Sequence, residues 1–214
     1  MSRPADTAVV AKRVLEALRE RCWLLQADPD LPSVASLVAG EPIRGSWWSH
    51  PRSNLIFWVL EELEESPELL QLKLVKGKVT LVHRALWPPL LAVACSSQPW
   101  QSAGLSRAAQ SLLGRARRAG TLRLDQLPRW SAASKPGDAA RELERRLLVY
   151  SREIHTESGR HTRELESWDH LRARLRLPED LPDPKDAKAA LERVVSARLL
   201  PWARGARAKR VTKA

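Results

Sequence analysis

The chain has 214 residues, 43% of them apolar, and a formal net charge of +11. That is long and apolar enough for one sizeable domain or two small ones. No apolar run approaches the roughly 18 residues that cross a bilayer, and Met1–Asp6 lacks a signal-peptide core, so the chain reads as a soluble cytoplasmic protein.

The charge is uneven. Residues 1–100 hold 11 Lys/Arg against 11 Asp/Glu, residues 101–170 hold 13 against 9, and residues 171–214 hold 12 against 5. A localised basic excess favours a polyanion through counterion release. Arginine outnumbers lysine 27 to 9, which suits bidentate phosphate recognition. Cys22 and Cys95 are far apart, form no metal pattern and read as small apolar residues kept reduced.

In chain order, Val10, Val14, Leu18 and Cys22 share a helical face, predicting a helix over 7–25 that ends near Asp28-Pro29. Pro32-Ser33 opens a short helix closed by Gly40. Gly45-Ser46-Trp47-Trp48-Ser49-His50-Pro51 follows, with Pro51 suited to a first helical turn and His50 to its cap. Two adjacent tryptophans in an extended segment point to opposite faces, so one is expected to lock the modules together and the other to be exposed. Ile56, Val59, Leu60 and Leu63 stripe the next helix, and Glu61, Glu62, Glu64 and Glu65 crowd its end. Residues 69–84 alternate as a β-hairpin turning at Lys76-Gly77, with Lys73, Lys78, Thr80 and Arg84 outward. Leu86–Ala94 is a buried helix, and 96–104 is linker-like.

Beyond the linker, Ser106 caps a helix through Arg118, Gly120 closes it, Thr121–Leu124 is a short strand, and Asp125 caps another short turn. Residues 131–137 are a loop, and Asp138 caps a helix to about Leu147. Residues 148–168 fit one long helix or a hairpin turning at Ser158-Gly159; the hairpin is preferred because Thr156 and Thr162 are strand formers. Residues 169–177 are helical, Pro178, Pro182 and Pro184 stiffen a linker, Asp186–Leu200 is a last helix, and Arg204–Ala214 is a basic tail.

This order resembles winged-helix DNA-binding domains, in which the last helix enters the major groove and the hairpin touches the backbone. The resemblance implies a mainly α fold with small β-hairpins (α+β), built as two winged-helix-like modules at 1–98 and 104–177, with a helix and basic tail at 178–214. Gly-Ser-Trp-Trp-x-His-Pro at 45–51 and His-Thr-Glu-Ser-Gly at 155–159 resemble a motif pair shared by uncharacterised bacterial proteins. More remotely, Gln26-x-Asp28 resembles the water-activating motif of tandem winged-helix DNA glycosylases. That likeness implies catalytic roles for Gln26 and Asp28 on damaged or abasic DNA; a helix-ending turn is the competing reading.

His50 is a further catalytic candidate, against a helix-capping role. Candidate nucleic-acid contacts are Trp47, Trp48, Arg52, Lys73, Lys78, Arg84, Arg141, Arg145, Arg160 and Arg163. Arg141 and Arg145 share a helical face, where Glu142 and Glu144 are their expected salt-bridge partners. In a hairpin with Glu157 opposite Arg160, Glu153, His155, Glu157, Thr162 and Glu164 share a face and His161 lies on the other, a salt-bridged wing rather than a metal site. The chain shows no phosphate-binding loop, dinucleotide fingerprint or zinc-binding cysteine set, so no cofactor or metal is expected. The leading expectation is a nucleic-acid partner, DNA before RNA, with a place in repair. A glycosylase and a non-catalytic protein-interaction module using residues 61–68 are the alternatives. Oligomeric state is left open.

Overall fold

The computed structural model describes residues 2–127, 130, 135–156, 158–177 and 179–203. The fold is mainly helical α+β, with two small antiparallel three-stranded sheets. The chain divides into two compact units, Met1–Trp87 and Pro88–Ala214, so the division falls ahead of the 96–104 segment. No described helix is long and apolar enough to cross a membrane.

The first unit runs α1 (Thr7–Arg21), β1 (Trp23–Leu25), α2 (Val34–Ala39), α3 (Ser53–Glu64), β2 (Leu69–Lys73) and β3 (Val79–His83). Helix α1 is shorter than the apolar period predicts. Cys22 takes a left-handed conformation, φ 63°, and its N–H closes on the Leu18 carbonyl. The apolar run Trp23-Leu24-Leu25 then leaves the helix and pairs antiparallel with β3, Trp23 opposite Val82. Helix α2 forms as expected: the Ser33 hydroxyl accepts from the Ser36 N–H at 3.3 Å, and Gly40 at φ 82° ends it. Ala11, Val14 and Leu18 pack with Val34, Ile56, Val59 and Leu81 into one core; burying each leucine contributes about 2 kcal/mol before entropy is counted.

The hairpin β2–β3 is present, with Leu70 opposite Val82 and Leu72 opposite Thr80. Thr80 is fully buried, not outward. β3 is the central strand, order β1-β3-β2, and both its faces are covered, with Thr80 and Val82 buried on one and Leu81 on the other. The Thr80 hydroxyl is satisfied there, accepting from Val75 N at 3.1 Å and donating to Lys78 O at 3.0 Å.

The second unit carries α4 (Trp87–Cys95, from Pro88), α5 (Pro99–Ser102), α6 (Arg107–Ala119), β4 (Thr121–Arg123), α7 (Pro136–Arg145), β5 (Tyr150–His155), β6 (His161–Glu166), α8 (Trp168–Arg174) and α9 (Pro184–Val194). The linker-like stretch therefore holds a helical turn, α5. Gln101 is fully buried, and its amide donates to Ala94 O at 2.9 Å and Leu147 O at 3.3 Å. Arg146 Nη1 donates to Ala103 O at 2.6 Å and to Trp100 O at 3.3 Å. These bonds tie α5 to the end of α7. Pro184 opens α9 instead of stiffening a linker, with the Asp183 carboxylate accepting from Lys185 N at 2.8 Å.

The preferred hairpin over 148–168 is formed, and its sheet has order β4-β6-β5. Both units thus place their last strand in the sheet centre, between the first and second. Cys22 and Cys95 are half-buried free thiols, and burial pushes the Cys95 thiol up from its ordinary value. The expected loop at 131–137 is described only in part, and the basic tail Arg204–Ala214 and Glu157 lie outside the described residues.

Candidate nucleic-acid interface

Helix α7 is amphipathic. Ala139, Ala140 and Leu143 are buried against α6 and the sheet, while Asp138, Arg141 and Arg145 face solvent. Two carboxylates hold it in place. Glu142 accepts from Ser106 N at 3.1 Å and Ser106 Oγ at 2.7 Å, joining α7 to the start of α6. Glu144 is buried, accepts from Ser151 Oγ at 2.6 Å and lies 3.2 Å from Arg163 Nη1, joining α7 to the hairpin. The acids expected to neutralise Arg141 and Arg145 are therefore turned to other partners. Arg141 pairs instead with Asp138, one turn back. Arg145 is exposed and makes no ion pair with another described residue. Lys135, exposed just before Pro136, adds a cation that helical periodicity alone did not single out.

The hairpin register differs by one residue from the expected one. His155 lies opposite His161, and Glu153 opposite Arg163. A one-residue slip exchanges the faces, so His155, His161 and Glu153 now share a side, while Thr162 and Glu164 are on the other. The imidazole centroids are 4.2 Å apart, and His161 Nδ1 is 2.8 Å from Glu153 Oε1. The turn explains the slip: Gly159 takes φ 74°, and the Thr156 N–H donates to Arg160 O at 2.8 Å. Among the described residues no group of three or more His, Cys, Asp or Glu has the arrangement of a metal site. Arg152 donates to Glu164 at 2.6 Å and Arg163 pairs with Glu144, whereas Arg160 is exposed at the turn.

Behind the sheet, Glu166 is buried between Arg174, which donates at 2.9 and 2.8 Å, and His170 Nδ1 at 2.7 Å. Burial works to raise its pKa, but the hydrogen bonds from Arg174 and then His170 outweigh it and hold the carboxyl below its ordinary value. The cluster braces α8 against β6.

In the first unit the candidate residues are mostly occupied. Asp28 is 4% exposed, and its Oδ1 accepts from the Asp30 and Leu31 N–H groups at 3.0 Å each. Its Oδ2 accepts from Lys78 Nζ at 2.8 Å and lies 3.7 Å from Lys76 Nζ. Burial would raise its pKa; Lys78 and the Asp30 N–H prevail and lower it. Asp28 and Lys78 thus clamp the turn that follows β1. Gln26 enters this region through its backbone, with N donating to Val79 O at 2.9 Å and O accepting from Ala35 N at 3.0 Å. His50 sits at the entry to α3, where Nδ1 accepts from Arg52 N at 3.1 Å and Nε2 meets Glu41 Oε1 at 3.1 Å. Arg52 donates to Val38 O at 2.9 Å, near the end of α2. Lys73 is half-buried, and Arg84 is exposed.

Trp47–Ser49 form a single tight helical turn rather than an extended segment. The two indoles therefore stack on one another, centroids 4.0 Å apart and planes 24° apart, instead of pointing to opposite faces. Trp47 packs on the core of its unit, and Trp48 is 56% exposed. No protein-family model, curated protein or solved structure matches the chain.

Proposed function

We propose that the chain is a DNA-binding protein of winged-helix type that engages DNA through its second unit. The carrying observation is the solvent face of α7, which presents Arg141 and Arg145, with Arg160 exposed at the hairpin turn of the same unit. The scaffold supports the reading. Helix α6, strand β4, a single tight turn at Leu124–Gln126 in place of a middle helix, helix α7 and the hairpin follow in order, with the last strand central in β4-β6-β5; this is like a winged helix in which α7 would be the reading helix. The B-form major groove, about 12 Å wide, admits a helix; the narrow major groove of A-form RNA does not, which favours DNA.

Lys135, Arg141, Arg145 and Arg160 are side chains that would reach phosphates or bases. Four phosphate contacts would give a slope of log affinity against log salt of about −3.6. A fluorescence-anisotropy titration of the full chain against labelled duplex DNA across a salt series tests this. A slope near zero, or binding that stays weak at low salt, removes the proposal.

A further inference from the structure

Helix α3 of the first unit presents a different chemistry. Phe57 and Glu61 on the helix and Glu65 at its C-cap recur at four-residue intervals, and Trp48 lies against Phe57, ring centroids 5.9 Å apart. Trp48 is held by its stack on Trp47, yet more than half of it faces water. A large indole fixed in place before binding loses little freedom on contact, which is the character of an interface anchor.

The flanking charge identifies the partner. Glu61, Glu62, Glu64 and Glu65 cluster at the C-terminal end of α3, whose last turn holds no basic residue. Carboxylates there oppose the helix dipole, and like charges three and four apart repel. Glu62 is paired with Arg3, whereas Glu61 and Glu65 are exposed. A cation lying over them relieves both penalties, while a phosphate would add to them.

We propose that the Trp48–Phe57–Glu61–Glu65 face of α3 docks a cationic amphipathic segment of another protein. An apolar or guanidinium group of that segment seats on Trp48 and Phe57, and its arginines or lysines lie over Glu61 and Glu65. The DNA proposal concerns other residues, so either can fail alone.

The test is fluorescence anisotropy of a labelled synthetic amphipathic helix with Arg on one face and Leu on the other, titrated with the full chain. A matched peptide with Glu for Arg is the control. Saturable binding of the Arg peptide is expected, weakened about tenfold, ~1.4 kcal/mol, by Trp48→Ser and again by Glu61→Gln with Glu65→Gln. Unfolding midpoints of the variants establish that the fold is kept; if Trp48→Ser loses it, the glutamate pair carries the test. The proposal is overturned by no binding at low salt, by equal binding of the Glu peptide, or by either folded variant binding as the parent does. It is also overturned if a single-stranded oligonucleotide binds and loses affinity on Trp48→Ser, which would mark base stacking.

Discussion

Replacing Arg141 and Arg145 by alanine should flatten the salt dependence of DNA binding and lower affinity by unequal amounts. Removing one arginine–phosphate pairing reduces the slope of log affinity against log salt by about 0.9, so the double variant should be flatter by about 1.8. The single variants differ because the two side chains start from different states. Arg145 is exposed without a described ion-pair partner and offers its full charge. Arg141 must leave Asp138, and the side chains of that pair are 51% and 56% exposed. An exposed pair of this kind is worth about 0–1 kcal/mol, less than the 1.5–3 kcal/mol or so of a hydrogen bond to a charged group. Arg145→Ala should therefore cost up to about 1 kcal/mol more than Arg141→Ala. Asp138→Asn, which frees Arg141 and removes a negative charge, should tighten binding. Anisotropy titrations over a salt series, with thermal unfolding to check the fold, measure all four variants. An unchanged slope in a folded double variant, or weaker binding by Asp138→Asn, would refute the assignment of α7 as the contacting helix.

Gly120→Ala should destabilise more than Gly159→Ala in urea unfolding. Both residues have positive φ, which disfavours an L-residue, but a Cβ at Gly120 also meets His170 Cδ2 at 2.8 Å while one at Gly159 meets open space; equal losses would sink the steric argument. Glu68 is held at about 2, below its ordinary 4.5, by Arg19 and then His83. Its proton is bound more weakly in the folded state, so its stabilisation is present above about pH 4.5 and is lost as pH falls toward 2. Glu68→Gln should flatten the acid limb of a melting-temperature profile; an unchanged limb would contradict the ion-pair account. Gln101→Leu should cost about 1–3 kcal/mol by removing the donor to the buried Ala94 carbonyl, while Leu147 O keeps the Trp168 indole N–H; the loss is read by denaturant midpoint, and a neutral result would argue against the amide's role.

Much of the secondary structure was legible in local pattern. Alternation of Leu70, Leu72 and Leu74 announced the first hairpin, and Ser33, Ser106, Gly40 and Gly120 marked helix ends by their own chemistry. What escaped was set by partners distant in sequence. Trp23–Leu25 continues an apolar period and becomes a strand because β3 offers an edge. Thr80 looks outward by alternation, and its burial comes from packing that covers both faces of β3. The second hairpin was legible, but its faces were not, because the turn at Gly159 sets the register. At the candidate interface the shared face of Arg141 and Arg145 followed from helical spacing, whereas their acid partners did not. Glu142 and Glu144 reach Ser106, Ser151 and Arg163, contacts that arise only once α6 and the hairpin pack. The ion pair that fixes Asp28 in its turn was not legible because Lys78, its partner, lies 50 residues away.

The bonds from Gln101 and Arg146 also bear on the order in which the second unit opens. Helix α5 spans only Pro99–Ser102, too short to persist by its own hydrogen bonds. Its carbonyls are held by a guanidinium 43 to 46 residues further along the chain. Formation of this turn therefore waits on the region where α7 meets β5, and its loss accompanies that region's loss. Amide exchange at 101 and 103, whose N–H groups bond to Gln98 O and Pro99 O, should track exchange in β5 rather than that of exposed turns. Arg146→Ala should uncouple the two, speeding exchange at 101 and 103 while leaving β5 protected.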